Sequence, residues 1–307
     1  MLTQSTSSLV QYLSSAAKPL SYLDNNILAF PISRCTPFLE ANSYYFGHPE
    51  WSRNYLAACH QDDAFKERWQ TAIGSWQDQI VVDIGCGPGN VYRALHDRCG
   101  TPRLLVGVDI SLGGLQIAEE LGYIPVLADA QQLPFIDGFA DIVTVNATLH
   151  HCDDMAQALR EAARLVRPGG LLVVDHDPQR TMWGDSIAAK LIWQARLPLY
   201  RLLKRGGHST SDEQFWSTAT EAHHQPGDGV TPNLFQQILE PLGFTAHFYP
   251  HNRTVGKALF QGDRGKAKWN IRLAQQLSGA NPDSAAAALV LMCIARRSSL
   301  TDSPALP

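Results

Sequence analysis

Three glycines at alternate positions are the first residues of this chain whose spacing points to chemistry. Gly85, Gly87 and Gly89 follow the apolar run Ile80–Ile84, which contains the single acidic residue Asp83. Glycine adopts backbone dihedrals that other residues avoid, and it leaves room for a ligand to lie against the backbone. A dinucleotide-binding loop would follow G-x-G-x-x-G, whereas the third glycine here comes one residue early. The segment predicts a buried strand that runs into a tight ligand-binding loop.

Polar side chains also stand where the next predicted strands end. Asp109, Asp129 and Asn146 each end or follow an apolar run of the sequence. A carboxylate at such a strand tip, about twenty residues after the glycine loop, can accept hydrogen bonds from both ribose hydroxyls of a nucleoside. That feature alone fits a nicotinamide cofactor equally well.

The order of motifs along the chain distinguishes between these classes of nucleoside cofactor. The D-x-G-x-G-x-G spacing at 83–89 resembles motif I of the class I S-adenosylmethionine (SAM)-dependent methyltransferases. The elements D-I-V at 141–143, L-H-H at 149–151 and R-P-G-G-L-L at 167–172 resemble the quinone C-methyltransferase-like (methyltransferase type 11) branch of that family. The resemblance is dense over residues 79–175 and thin outside them. It implies an enzyme with S-adenosyl-L-methionine as cofactor.

The resemblance also implies which residues bind the cofactor. The glycine loop and Asn146 would face the methionine half, Asp109 the ribose, and Asp129 the adenine edge. The residues expected to bind SAM are Asp83, Gly85, Cys86, Gly87, Gly89, Asp109, Ile110, Asp129, Ala130 and Asn146.

A general base is needed only if the acceptor must lose a proton, because methyl transfer is otherwise mainly a matter of positioning. Histidine suits this role, since its ordinary pKa of about 6.5 leaves it largely neutral at pH 7. Five candidates are present: His150, His151, His176, His223 and His224. We select His151 for its proximity to the expected methyl group and His176 for its place at the carboxyl edge of the sheet. The alternatives are that His150 and His151 cap the following helix, that His176 lies in a solvent-facing turn, and that His223 and His224 are polar surface residues. We expect no bound metal.

The sequence predicts a small-molecule acceptor and leaves O-, C- and N-methylation open. An adenine N-methyltransferase would carry D/N-P-P-Y/F where this chain has N-A-T-L at 146–149, and Cys152 lacks the Pro-Cys setting of cytosine C5 enzymes. The formal net charge of −4 gives no overall footprint for nucleic acid. The alternatives are a methyltransferase of RNA or protein, a lipid or quinone methyltransferase at the membrane surface, and a SAM-responsive binding protein.

The amino-acid composition indicates the cellular compartment and the binding partners. The six cysteines are scattered without a C-x-x-C pair, which favours reduced thiols and a cytoplasmic protein. We expect no transmembrane segment, because the sequence has no apolar run of the required length. A basic run that includes Lys190, Arg196 and Arg201 indicates peripheral membrane contact, binding of an anionic or lipid-like substrate, or a solvated helix face. The oligomeric state stays open.

Alternating strand and helix patterns predict an α/β fold. We expect a Rossmann-like, seven-stranded, mostly parallel sheet with an antiparallel last strand and helices on both faces. The segments are an N-terminal helical segment and candidate lid at 1–75, a methyltransferase domain at 76–297 with helical insertions at 178–230 and 255–282, and a flexible tail at 298–307. The first insertion is expected to form a mobile cover over the acceptor, with a hinge at Gly206-Gly207.

Overall fold

The structure is a computed structural model that describes residues 4–17, 19, 21–23, 26–183, 186–203 and 210–299. The hinge predicted at Gly206-Gly207 and positions 300–307 of the predicted tail lie outside the described residues.

One sheet of nine strands organises the described part of the chain. Its strands are β1 (Ser21–Leu23), β2 (Ile27–Ala29), β3 (Ile80–Ile84), β4 (Leu104–Asp109), β5 (Ile124–Leu127), β6 (Ala140–Asn146), β7 (Val166–Asp175), β8 (Phe244–His251) and β9 (Val290–Arg297). Their order across the sheet is β1-β2-β5-β4-β3-β6-β7-β9-β8. Strands β2 to β7 pair in parallel, and the last strand in the chain, β9, is antiparallel to both neighbours. The mostly parallel Rossmann-like sheet and its antiparallel last strand are therefore confirmed.

The predicted count of seven strands is wrong, because the described chain contains two more. Strands β1 and β2 form an antiparallel pair that extends the sheet beyond β5. Both come from the N-terminal segment 1–75, for which only helices were expected. Each strand has three residues, and so short a run shows no period-2 alternation that a sequence could reveal.

Helices cover both faces of the sheet. They are α1 (Gln4–Leu9), α2 (Pro37–Gly47), α3 (Pro49–Ala58), α4 (Asp63–Ile73), α5 (Asn90–Leu95), α6 (Leu112–Glu120), α7 (Met155–Leu165), α8 (Ile187–Leu203), α9 (Ser211–Ala219), α10 (Pro232–Leu239) and α11 (Trp269–Leu277). None of the helices in the described ranges is both long enough and apolar enough to cross a membrane.

Local sequence explains where the N-terminal helices begin. The side chains of Thr36, His48 and Asp62 each accept a hydrogen bond from the backbone N–H three residues further on, at the starts of α2, α3 and α4. Such caps satisfy backbone donors that a helix leaves free at its first turn. Pro37 and Pro49 occupy the first turns of α2 and α3, where proline's missing N–H costs nothing.

The core lies on both sides of β3 because successive strand residues face opposite ways. Val82 belongs to the apolar cluster that includes Leu159 of α7. Its neighbour Val81 belongs to the second cluster, with Phe65 and Trp69 of α4. The sheet is thus held from both faces, and its carboxyl edge is left to form a site.

Candidate functional site

The three glycines of the loop after β3 have positive φ angles of 67° at Gly85, 50° at Gly87 and 93° at Gly89. A Cβ at Gly85 would overlap the side chain of Thr148, and one at Gly89 would lie 2.9 Å from Leu121. A Cβ at Gly87 would have no atom within 4 Å. The outer two glycines are therefore required by packing as well as by backbone conformation, whereas the middle glycine borders open space.

Asp83 lies under this loop and is almost completely buried. Its Oδ2 accepts a hydrogen bond of 2.7 Å from the Tyr123 hydroxyl, and its Oδ1 accepts one of 2.8 Å from the Thr144 hydroxyl. Burial raises the pKa of Asp83 to about 6, against the two hydrogen bonds, which favour the ionised form. The carboxylate thereby connects β3 with β6 and with Tyr123 behind the loop.

Asp109 ends β4 and holds the loop in place. Its Oδ2 accepts a hydrogen bond of 2.8 Å from the backbone N–H of Gly87, and its Oδ1 accepts one of 2.8 Å from that of Ser111. Burial raises the pKa of this carboxyl above its ordinary value. One side chain thus fixes the middle glycine and the start of α6.

A cleft of about 830 Å³, which includes space open to solvent, follows the carboxyl edge of the sheet. Its lining contains most of the residues that the sequence predicted for the site, namely Gly85, Cys86, Gly87, Asp109, Ile110, Asp129, Ala130, Asn146 and His151. Asp83, Gly89 and His176 are described by the structure and lie outside this lining.

Asn146 presents a polar atom without a partner to this cleft. Its side-chain Oδ1 is buried and accepts no hydrogen bond within the described chain. Leaving such an atom unsatisfied costs about 1–3 kcal/mol. The position therefore fits a ligand that carries a hydrogen-bond donor.

His151 is held in one tautomer by the backbone. It ends the 3₁₀ turn Leu149–His151 that follows β6, and its Nδ1 lies 2.8 Å from the carbonyl oxygen of Thr220. A carbonyl oxygen only accepts, so Nδ1 carries the hydrogen and Nε2 keeps its lone pair. Burial lowers the pKa of His151 to about 3, which keeps the ring neutral.

His176 lies in a buried charged cluster and not in a solvent-facing turn. Its backbone N–H donates to the carboxylate of Asp175, which also accepts from Arg68, Trp69 and His251 at distances of 2.7–3.1 Å over the four bonds. His176 has a positive φ of 66°, which is uncommon for a residue other than glycine. Burial lowers the pKa of His176 to about 4.

His60 connects this cluster with the cleft, and sequence reasoning missed it. Its ring lies 4.6 Å from that of His176, and its Nε2 lies 3.1 Å from the hydroxyl of Tyr55. Both His60 and Tyr55 line the cleft. His60 has a positive φ of 63° between α3 and α4, and burial lowers its pKa well below the ordinary value. No sequence signal marks such a backbone conformation at a histidine.

The N-terminal helices supply further lining residues that were not predicted individually. Leu39, Asn42 and Phe46 of α2 face the cleft. They share one side of the helix, being three and four residues apart. The sequence predicted a lid in this segment, but a weakly amphipathic helix does not reveal which side it turns to a ligand.

Helices α2 and α9 meet beside the cleft and join the N-terminal segment to the first insertion. The Asn42 side chain donates a hydrogen bond of 3.3 Å to the carbonyl oxygen of Thr220, which also accepts from His151. The rings of Tyr44 and Trp216 lie 4.4 Å apart. Helix α2 is therefore bonded to the same carbonyl that orients His151.

The remaining candidate histidines have carboxylate neighbours. His150 Nδ1 lies 2.8 Å from Asp177, His223 Nδ1 lies 2.9 Å from Asp228, and His224 Nδ1 lies 2.6 Å from Glu221. Within the described ranges, no group of three or more His, Cys, Asp or Glu side chains is placed to hold a metal ion.

Known proteins with similar sequences include methyltransferases. Residues 82–174 match the family model described as a methyltransferase domain. The chain is 32% identical over 189 residues to the demethylmenaquinone methyltransferase of Bacillus licheniformis, which covers 60% of this chain and 80% of that protein. It is 28% identical to the demethylmenaquinone methyltransferase of Staphylococcus aureus, over 60% of this chain and 77% of that one.

A solved structure shares the fold. The geranyl diphosphate C-methyltransferase of Streptomyces coelicolor, solved with S-adenosyl-L-homocysteine, superposes with a TM-score of 0.51 at 15% identity, over 87% of this chain and 99% of that one. The chain belongs to the class I SAM-dependent methyltransferases. It is an enzyme, and its cofactor is SAM. The open space at Gly87 and the unpartnered oxygen of Asn146 fit that cofactor.

Proposed function

We propose that the cleft binds SAM along the carboxyl edge of the sheet. The loop around Gly87 and the Asn146 oxygen would hold the methionine half, whose amino group can donate to Asn146. Asp109 would accept from the ribose hydroxyls, and Asp129 with Ala130 would lie at the adenine. The supporting observation is that the Asn146 oxygen is buried in this cleft without a hydrogen-bond donor.

We further propose that Asp83 and Gly89 act from outside the cleft lining. Asp83 would support the loop through Tyr123, which lies behind it. Gly89 would allow the turn into α5, for which it is the N-cap residue with a φ of 93°. Cys86 and Ile110 line the cleft, and they would contribute apolar surface to the cofactor.

The proposed reaction is methyl transfer to a small-molecule acceptor. The bound sulfonium supplies the methyl group, and the chain positions the acceptor against it. Where the acceptor must lose a proton, His151 Nε2 would receive it, because its lone pair is free and its ring is neutral. His176 contacts His60, a lining residue, so we propose a positioning role for it.

The lining supports a small acceptor with apolar surface. Leu39, Phe46 and Tyr55 contribute apolar and aromatic surface from α2 and α3. The contact between α2 and α9 beside the cleft favours a small molecule over an RNA or protein chain. The demethylmenaquinone named for two relatives is therefore the first acceptor to test, with other quinones, polyketides, terpenoids and amines to follow.

The test of the cofactor site replaces its middle glycine. Gly87→Val would place a branched side chain in the open space of the cleft, at a backbone conformation that valine disfavours. We expect binding of S-adenosyl-L-homocysteine, measured by calorimetry, to become undetectable.

The matched control is Gly243→Val. Gly243 also has a positive φ, 79°, with no atom within 4 Å of an added Cβ, but it precedes β8 and does not line the cleft. This variant should show similar backbone strain with unchanged affinity. Wild-type affinity in Gly87→Val would show that the loop does not contact the cofactor.

A further inference from the structure

The four most exposed large apolar side chains in the described part of the chain lie on two neighbouring helices. Ile187 is 79% exposed, Trp269 78%, Leu277 64% and Leu191 60%, and Leu273 is 47% exposed between them. Single exposed apolar residues are common, whereas a contiguous group marks an interaction site. We call these five residues the α8–α11 face.

The spacing of these residues places them on one side of each helix. Ile187 and Leu191 are four residues apart on α8, and Trp269, Leu273 and Leu277 follow at the same interval on α11. Each helix therefore presents a continuous apolar stripe to the outside.

The other sides of the two helices are packed against the protein. Ala189 of α8 and Gln275 of α11 are buried, and the Gln275 amide donates a hydrogen bond of 3.0 Å to the carbonyl oxygen of Met182. The Ser186 hydroxyl donates a bond of 2.8 Å to the carbonyl oxygen of Ser278. The start of α8 is thus fixed to the end of α11, and the two helices pack against each other.

The charges around this face are mainly positive, and the acidic residue Asp283 is paired with Arg272 of α11 at 2.8 Å. Neither helix sequence contains Asp or Glu, although the whole chain has a net charge of −4. Lys190 on α8 and Lys268 just before α11 are exposed, and neither forms an ion pair with another described residue. Basic side chains beside exposed Trp and Leu are typical of helices that lie in the interface of an anionic membrane.

We propose that the α8–α11 face binds the surface of an anionic lipid bilayer, with Trp269, Leu277 and Leu191 inserted among the headgroups. A second copy of the chain is the less favoured occupant, because a two-fold contact would bring Lys190 and Lys268 against the basic residues of the same face. This inference goes beyond the proposed function, since it requires no catalysis.

The position of the face also relates it to the site. On α8, Trp193 lies 5.1 Å from His224, measured between ring centroids, and His224 lies 5.8 Å from His150. The helix therefore lies between the outer face and the histidines beside the cleft. An apolar acceptor dissolved in the bilayer would be near its site when the face is docked.

The experiment is co-sedimentation of the full chain with vesicles. Phosphatidylcholine vesicles with phosphatidylglycerol should bind the protein, while pure phosphatidylcholine vesicles and high salt should weaken binding. The double variant Trp269→Ser/Leu277→Ser should lower the partition coefficient about tenfold or more, because it removes apolar surface that would be buried. Lys190→Gln/Lys268→Gln should abolish the preference for phosphatidylglycerol.

The matched control is Ile136→Ser/Leu242→Ser, which removes two exposed apolar side chains, 40% and 36% exposed, elsewhere on the protein. It should bind vesicles like the wild type, and all variants should keep their affinity for S-adenosyl-L-homocysteine. The proposal is overturned if the wild type does not bind anionic vesicles, or if Trp269→Ser/Leu277→Ser binds them normally. It is also overturned if sedimentation shows a dimer that the same substitutions dissociate, without vesicle binding.

Discussion

At His151, one backbone carbonyl decides which ring nitrogen can take up a proton. The Thr220 oxygen lies 2.8 Å from Nδ1, so the hydrogen resides there and Nε2 is left as the acceptor. The same carbonyl oxygen accepts a hydrogen bond from the side chain of Asn42 in α2. The tautomer of His151 therefore depends on the position of α2. A general base must be neutral, oriented and basic enough to hold the proton. His151 meets the first two conditions, whereas burial, which lowers its pKa to about 3, opposes the third.

We predict that His151→Ala lowers the rate of methyl transfer about a hundredfold or more, the usual contribution of a positioned base. The acceptor for this measurement is one that must lose a proton, and the assay follows transfer of a labelled methyl group from SAM. Affinity for S-adenosyl-L-homocysteine should stay within about twofold of the wild type, because the proposed site places this ring against the acceptor and not against the cofactor.

The control for this substitution is His96→Ala, since His96 is exposed and follows α5 outside the cleft lining. Its rate should equal that of the wild type. A near-normal rate in His151→Ala would mean that the acceptor is already nucleophilic and that catalysis is positioning alone.

At the scale of elements, the sequence predicted those parts of the site whose signals are local. The loop at Gly85–Gly89 and the strand ends at Asp109, Asp129 and Asn146 could be located because a buried run, a turn and a polar residue follow one another within ten residues. Parallel strands then place these ends at one edge.

The remaining parts depend on contacts between distant segments. Helix α2 packs on α6, and this contact places Leu39, Asn42 and Phe46 in the cleft lining. The sequence of α2 does not predict the contact. The strand pair β1–β2 was missed because it exists only through pairing with β5. His60 reaches the cleft through a backbone conformation that its residue type does not favour.

The contact between α2 and α6 allows a test of whether cofactor binding depends on the position of α2. A Cβ at Gly113 in α6 would overlap the backbone carbonyl of Gly47 at the end of α2. Gly113→Ala should therefore displace α2, although alanine would favour the helix by about 1 kcal/mol. We predict that the affinity for S-adenosyl-L-homocysteine, measured by calorimetry, falls about tenfold, or about 1.4 kcal/mol.

The control lies on the other side of the same contact. At Gly47 an added Cβ would have its nearest neighbour, the Ser111 hydroxyl, at 3.5 Å, which is an ordinary distance. Gly47→Ala should keep wild-type affinity. Equal affinities in both variants would show that α2 does not need its observed position for cofactor binding.

Across the whole molecule, many of the buried ionisable groups lie at the carboxyl edge of the sheet. Burial lowers the pKa of five histidines: to about 3 or 4 at His150, His151 and His176, and below the ordinary value at His60 and His251. Burial also raises the pKa of three aspartates: to about 6 at Asp83, to about 7 at Asp177, and above the ordinary value at Asp109. The two groups act on stability in opposite directions when the pH falls.

Acidification should lower the stability of the ligand-free protein. Between about pH 6 and pH 4 the unfolded chain binds protons at the five histidines, whereas burial keeps them neutral in the folded chain, and this lowers stability as the pH falls. Over the same range the folded chain keeps protons on aspartates that the unfolded chain releases, which raises stability. Because five histidines stand against three aspartates, the histidines dominate, and the free energy of unfolding should fall as the pH falls.

Denaturant unfolding of the ligand-free protein at several pH values measures this slope. His151→Gln removes one of the five histidines and should make the slope smaller by about 1.4 kcal/mol per pH unit, whereas His96→Gln, at an exposed position, should leave the slope unchanged. Stability that rises on acidification would mean that the aspartates dominate, and that the histidines at the carboxyl edge are more accessible to solvent than their burial implies.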